Sequence, residues 1–307
     1  MHKIAIILWL YHTDLWQEIH QDLLSIKNNI HLYIGLCNSH DNNQIMSDLN
    51  EYPEYSLSFH DNLGLDVLPF VRQICDIDPN KHPLFIKVHG KKSLWGHSKH
   101  IPWRLLLFDS LIGNNNILQN NIRLLNNDNA GMLCNSNFIM SHREHTNSLK
   151  IYELCSKLGI NYENIKNSDF PAGNMFMSYT TIFQKYLSPF KEYLVNKLAS
   201  EPGRICDAQE GKYAHALERI FGYIIKNEGK KIYPAFQKTM IIYNNIAPNN
   251  KFHLCRIKNH CYILEDANIY GNVIFEGSNI LTIQWLHLPN RPIQQYKQLN
   301  QNSLIKI

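Results

Sequence analysis

Leu84–Ser93 reads L-F-I-K-V-H-G-K-K-S, an apolar run that ends on a glycine followed by two lysines. Its continuous apolar start fits a strand buried on both faces of a parallel sheet. Within that strand Lys87 and His89 alternate with Ile86 and Val88, so the two polar side chains share one side. A lysine and a histidine in a core are costly unless an anion or a carboxylate answers them, which favours a site over plain packing. Gly90 lets the backbone approach a ligand, and Lys91 and Lys92 suit phosphate as point charges. For these two lysines a solvated basic loop is the competing reading. A Walker P-loop does not fit, because it would need Gly in place of Phe85 and Ser or Thr in place of Lys92.

Outward from this strand, strands and helices alternate. Lys3–Tyr11 is a second apolar run, followed by a helix with Leu15, Ile19, Leu23 and Ile26 at helical spacing, for which Thr13 or Asp14 is the expected cap. Ile30–Cys37 and Tyr55–Phe59 read as further strands and Asp41–Asn50 as a short helix between them. This order predicts a doubly wound α/β domain with a mainly parallel sheet and flanking helices. After Phe59 comes the turn Asp61-Asn62-Leu63-Gly64-Leu65-Asp66, where Asn62 and Gly64 tolerate positive φ, and then a helix over Val67–Ile77 with Pro69 in its first turn. Asp66 therefore lies at a helix N-terminus beyond the end of a strand. Either it caps that helix, or it faces the crevice at the carboxyl ends of the strands together with His89.

Pro102–Leu111 predicts a helix that carries Arg104 in its first turn, either as a forked donor to an anionic ligand or paired with Asp109. Ile117–Leu125 and Tyr152–Leu158 read as helices and Ala130–Asn135 as a strand. Phe170–Ser178 (F-P-A-G-N-M-F-M-S) is a turn feeding an apolar strand; Gly173 is either a close-approach point for a ligand or an ordinary turn glycine. Thr180–Leu187 and Lys191–Leu198 are helical. Asp207–Lys226 is amphipathic, with Glu210 near its N-terminus and His215 and Arg219 opposite the apolar face. Those two are solvated if the helix is covered on one side, and site residues if it is covered on both.

Residues 254–288 change to short β-rich runs between Asn/Gly turns, either a small β appendage or closing hairpins of the main sheet. The Gln/Asn-rich end, 290–307, reads as a loose tail docked through Tyr296. The formal net charge of +4 is mild and the basic residues are scattered outside Lys87–Arg104, which argues against nucleic acid as a partner. The 7 cysteines form no C-x-x-C pair or regular framework, so they are expected to be reduced and the chain cytoplasmic. No run approaches the roughly 20 apolar residues of a membrane span, although peripheral contact with a membrane is compatible with the sequence. His89, His97 and His100 lack Asp, Glu or Cys at ligand spacing, so no metal site is assigned.

Together, the Lys3–Tyr11 strand, N-L-G-L-D-V-L-P-F, L-F-I-K-V-H-G-K-K-S, W-R-L-L-L-F-D-S-L, F-P-A-G-N-M-F and E-G-K-Y-A-H-A-L-E-R-I-F-G resemble, in order, the rhamnan synthesis protein F family over about Lys3 to Phe236. The order is also similar to a GT-A glycosyltransferase core. The resemblance implies a GT-A-like domain over 1–240 with a β-rich extension over 241–307. It further implies transfer of a sugar from a nucleotide-diphosphate donor to a glycan or lipid-linked glycan acceptor in lipopolysaccharide, O-antigen or capsule synthesis, at the inner membrane.

Where GT-A enzymes carry an Asp-x-Asp that holds a metal on the donor, this chain has Val88-His89-Gly90-Lys91-Lys92. The departure implies a metal-independent transferase without a cofactor, in which fixed cations meet the diphosphate. Asp66, Asn62 and Gly64 would hold the donor. His89, Lys91, Lys92 and Arg104 would stabilise the leaving group, and Gly173, His215 and Arg219 would complete the binding site. Glu210, or second to it Asp66, would be the base. A non-catalytic nucleotide-sugar or glycan-binding subunit is the alternative, and a hydrolase using His89, His97 and His100 a third.

Overall fold

The computed structural model describes residues 2–92, 103–126, 129–141, 147–165, 168–202 and 212–236, together with short strands between 239 and 306. The chain forms two compact units. One comprises Met1–Gly90 with Leu111–Phe236, the other Lys91–Ser110 with Gln237–Ile307.

In chain order the first part runs β1 (Ile4–Leu10), α1 (Trp16–Leu24), β2 (Ile30–Cys37), α2 (Asn43–Asp48), β3 (Tyr55–His60), α3 (Val67–Ile74), β4 (Leu84–His89) and α4 (Trp103–Ile112). There follow α5 (Asn115–Leu125), β5 (Ala130–Cys134), β6 (Ile139–Ser141), α6 (Ser148–Lys157), α7 (Tyr162–Ile165), β7 (Asp169–Pro171) and β8 (Phe176–Tyr179). The first unit closes with α8 (Thr180–Leu187), α9 (Lys191–Ala199), α10 (Tyr213–Asn227) and β9 (Lys231–Pro234).

The main sheet has 7 strands in the order β3-β2-β1-β4-β8-β5-β9. β1 pairs in parallel with β2 and β4, β2 with β3, and β5 with β9; β8 is antiparallel to both β4 and β5. This is the expected mainly parallel α/β sheet with flanking helices. Every residue of β1 and β4 is buried, as their apolar runs predict. Phe70 of α3, Phe85 of β4, Phe176 of β8, Phe183 of α8 and Phe221 of α10 interlock beside the sheet, with ring centroids 5.1–6.1 Å apart. Such edge, tilted and stacked contacts fix the helices against β4 and β8.

Three local features differ from the sequence reading. The chain enters α1 through a 3-10 turn over Thr13–Leu15, so the position ahead of α1 is Leu15, which makes no side-chain capping bond, rather than Thr13 or Asp14. β6 and β7 form a separate two-stranded antiparallel sheet. K-I-Y-P, too short and too polar to read as a strand, is the edge strand β9, placed by its backbone pairing with β5.

The second unit contains a closed barrel of β10 (Thr239–Tyr243), β11 (Lys251–Ile257), β12 (His260–Ile263), β13 (Tyr270–Gly277), β14 (Ile280–Trp285), β15 (Ile293–Asn300) and β16 (Ser303–Lys306). Its neighbours are antiparallel except at the seam, where β10 and β16 run parallel. The expectation of a loose tail over 290–307 is therefore wrong. Its amide-rich side chains hide a strand pattern, and main-chain pairing of β15 and β16 removes the open edges that β10 and β14 would otherwise expose.

Among the described residues no helix is long and apolar enough to cross a membrane. Cys37, Cys75, Cys134 and Cys155 are free thiols.

Candidate functional site

The strand order places β2 and β4 on either side of β1, so the chain reverses its winding at β1 and β4. Ligands of open α/β sheets collect outside the carboxyl ends of strands at such a switch point. Here β4 ends on Lys87 and His89, the β3–α3 turn delivers Asp66, and β8 returns antiparallel. Because Lys87 lies opposite Phe176 in that antiparallel register, Asn174 comes level with the end of β4.

These side chains meet. Lys87 is 1% exposed; its ammonium forms an ion pair with Asp66 Oδ2, donates to the Asn174 carbonyl at 2.9 Å and lies 5.4 Å from the centre of the Phe70 ring. Asn174 Nδ2 donates to the same Asp66 oxygen at 2.7 Å, and His89 Nδ1 lies 3.5 Å from it. Asp66 keeps 15% of its side chain exposed, so the cluster reaches the surface through the carboxylate. One buried ammonium is thus answered by one carboxylate and one carbonyl, as a buried cation requires.

Backbone conformation makes the cluster possible. Asn174 has φ +56°, a left-handed conformation that asparagine tolerates better than most residues, and Gly173 before it has φ +84°. The Gly173 N–H donates to Glu218 Oε1 of α10 at 2.8 Å, which ties the turn to the helix. In the β3–α3 turn Gly64 has φ +57°, and a Cβ there would lie 2.8 Å from Leu68 Cβ and 2.9 Å from Leu198 Cβ. Only glycine fits, and its N–H donates to the Glu201 carbonyl at 2.9 Å.

The family model for rhamnan synthesis protein F matches residues 1–230. The chain belongs to the rhamnan synthesis protein F family. No curated protein is significantly similar to it. Among solved structures, a cytidylyltransferase from Leptospira borgpetersenii serovar Hardjo-bovis is similar at 12% identity and a TM-score of 0.34, covering 84% of this chain and 83% of that one. Mouse xyloside xylosyltransferase 1 is similar at 10% identity and a TM-score of 0.33, covering 80% of this chain and 89% of that one. Likenesses this distant carry no argument about activity.

In this member of the rhamnan synthesis protein F family, the residues expected at the site fall into distinct groups. Asp66 and His89 come together. Asp66 sits at the N-cap position of α3 without a side-chain capping bond; its carboxylate instead meets Lys87, Asn174 and His89. Asn62 is half-buried in the same turn. The N–H of Gly173 donates to Glu218 Oε1.

α10 is buried on nearly all sides, Arg219 included. Arg219 lies over the Phe170 ring at 4.9 Å and donates to the His215 backbone carbonyl at 2.8 Å. Lys91, half-buried, Lys92, exposed, and Arg104, buried, belong to the second unit. Glu210, His97 and His100 lie outside the described residues.

Sequence reasoning missed Asn174 and Glu218 and gave Lys87 no partner. The signal for Asn174 was present, since an asparagine directly after a turn glycine is a left-handed candidate. Glu218 carried none, because its role depends on how α10 packs. The one metal-competent trio among the described residues, His20, Asp48 and Glu51, is elsewhere and already engaged: Asp48 Oδ2 accepts from Trp16 Nε1 at 2.8 Å, and His20 Nδ1 lies 2.9 Å from the Tyr52 hydroxyl.

Proposed function

We propose that this chain is a glycosyltransferase that moves a sugar from a nucleotide-diphosphate donor to a hydroxyl of a glycan or lipid-linked glycan. The setting is lipopolysaccharide, O-antigen or capsule synthesis on the cytoplasmic side of the inner membrane, with peripheral contact. Membership of the rhamnan synthesis protein F family supports the class. The observation that carries the reading is the buried Lys87–Asp66 pair at the switch point of the sheet, with His89 and Asn174 around the same carboxylate oxygen.

In the transfer, the acceptor oxygen bonds to the anomeric carbon as the carbon–oxygen bond to the diphosphate breaks. Negative charge grows on the leaving group, where fixed donors contribute most. Lys91, Lys92 and Arg104 are assigned to that charge, and Glu210 to the acceptor proton. Asp66 Oδ2 already accepts from Lys87 and Asn174, so Asp66 is assigned to organising His89 rather than to proton abstraction. A hard divalent cation needs several oxygen ligands. The tip of β4 offers an ammonium and an imidazole, and the one carboxylate facing it among the described residues is already paired, which supports a metal-independent mechanism.

The test is a thermal-shift screen of the purified chain against nucleotide diphosphates and their sugars, because a ligand of the native state raises its melting temperature. A shift in the wild type that is lost in Asp66→Asn is the expected result; no shift with any nucleotide sinks the transferase reading. Glu210→Gln should keep the shift and lose turnover. If donor turnover survives both Glu210→Gln and Asp66→Asn, the carboxylate roles are wrong. A nucleotide that binds without turnover under any acceptor would make the chain a binding subunit.

A further inference from the structure

We propose that His20 of α1, Asp48 at the end of α2 and Glu51 in the 3-10 turn Leu49–Glu51 bind one zinc ion, which joins α1 to the segment leading into β3. One ligand atom from each of the three lies within 4.8 Å of the others. Glu51 comes before β3 and Asp66 after it, and the 6 residues of that strand, at about 3.3 Å each, set the two places roughly 20 Å apart. The inference does not rest on the transferase reading and gives the ion no part in the transfer.

The first observation that points to a cation is charge. Among the described residues no lysine or arginine pairs with Asp48 or Glu51. Asp48 accepts from three neutral donors, Trp16 Nε1 at 2.8 Å, Gln17 Nε2 at 3.3 Å and Gln44 Nε2 at 2.7 Å, and the ion pair of Glu51 is with His20. A second histidine–carboxylate contact of the same 3.4 Å length, His31 with Glu54, differs in that Lys3 sits on the carboxylate at 2.9 Å. Two carboxylates thus stand beside one imidazole with no fixed cation, and a divalent ion balances them.

The second observation is geometry. His20 is 4% exposed, and its Nε2 lies 3.4 Å from Glu51 Oε1, beyond the usual hydrogen-bond range. Two ligands at about 2.0–2.1 Å from a tetrahedral zinc lie roughly 3.3 Å apart, so an ion fits between them. The Trp16 ring stacks on the imidazole at 5.0 Å, and the Tyr52 hydroxyl lies 2.9 Å from Nδ1. With the ring proton on Nδ1 toward Tyr52, the Nε2 lone pair is left for the metal, and Tyr52 is the outer partner that orients a ligating histidine. The three donors on Asp48 orient it in the same way and use three of a carboxylate's roughly four acceptor sites, which leaves one for the ion. One nitrogen and two carboxylate oxygens, with water in the fourth position, suit zinc, whereas magnesium takes oxygen ligands.

Zinc chloride, titrated calorimetrically into the metal-stripped full chain, is the test, with magnesium chloride as the second arm. One saturable zinc site that magnesium in large excess does not displace is expected, together with a rise in melting temperature. Glu51→Gln, at an exposed position that leaves the fold intact, should weaken zinc binding about tenfold or more, Asp48→Asn should do the same, and His31→Gln should leave it unchanged. Magnesium binding as tightly as zinc overturns the zinc assignment. Absence of saturable zinc binding by the wild type, wild-type affinity in Glu51→Gln, or equal weakening in His31→Gln overturns the site, the last two by assigning the ion to other histidines.

Discussion

Replacing Lys87 by Met removes the only ammonium that answers Asp66 within the cluster's described contacts and leaves the carboxylate with the Asn174 amide and the nearby His89. Breaking a buried ion pair by removing one partner typically costs about 3–5 kcal/mol, because the other charge stays behind. Asp66 is 15% exposed and keeps its 2.7 Å bond from Asn174, so Lys87→Met belongs near the lower end, at about 3 kcal/mol. In Asp66→Asn the stranded group is Lys87, which is 1% exposed and retains the Asn174 carbonyl, so the cost rises to about 4 kcal/mol.

The double variant holds no charge in this pair, and Met can pack against the Phe70 face where the ammonium lay. Its cost should fall short of the sum of the single costs by about 2 kcal/mol or more, the mark of direct coupling. Hydrogen exchange of β1 and β4 peptides across a urea series measures this, because it reports the first unit alone. Additive single costs, or single costs below about 1 kcal/mol, would refute the reasoning that Lys87 is held in the core by Asp66.

Three further outcomes follow from the packing. A Cβ at Gly222 would lie 2.1 Å from the Asp169 carbonyl oxygen, so Gly222→Ala must push α10 off β7 and should cost about 3 kcal/mol in urea unfolding. Gly229→Ala, at φ +69° with nothing within 4 Å of the new Cβ, should cost only about 1 kcal/mol. Glu201 accepts the Tyr213 and Ala214 N–H groups at 2.6 and 3.2 Å, so Glu201→Ala should cost about 1 kcal/mol and fray the start of α10 in hydrogen exchange.

His60 adds a pH dependence. Burial, and next the Arg72 guanidinium, push it down to about 4 against the counteracting Asp61. The Arg72 contact at 3.2 Å requires Nδ1 as acceptor, so Nε2 carries the proton toward the Ser58 hydroxyl at 2.9 Å. The unfolded chain therefore binds the extra proton between about pH 6.5 and 4. Stability is complete above that window and is lost as pH falls through it. Urea midpoints measured from pH 7 to 4.5 should show the loss, and His60→Gln should flatten it; an unchanged slope in the variant would assign the dependence to other groups.

Much of the site was readable because its parts are local. An apolar run interrupted by Lys87 and His89 announces a buried strand with a polar tip, and N-L-G-L-D announces a turn that needs glycine and hands Asp66 to a helix start. Gly173 and Asn174 stood together as a turn, but what the turn faces depends on the antiparallel return of β8, a pairing between segments nearly ninety residues apart. His215 and Arg219 stood opposite the apolar face of α10, and the structure sets the Phe170 ring against Arg219. Periodicity reports how much of a helix is buried, not whether an aromatic ring such as Phe170 is what covers it.

By itself the sequence determined the alternation of strands and helices, the glycine turns and the presence of a lysine that its strand would have to bury. Those follow from side-chain hydrophobicity and backbone sterics within a few residues. Only the tertiary structure decided what answers that lysine. Asp66, Asn174 and His89 come from separate loops, and it is the register of β4 against β8 and the course of the β3–α3 turn that set one carboxylate oxygen among all three. An interaction between charges depends on separation in space, which sequence distance does not encode.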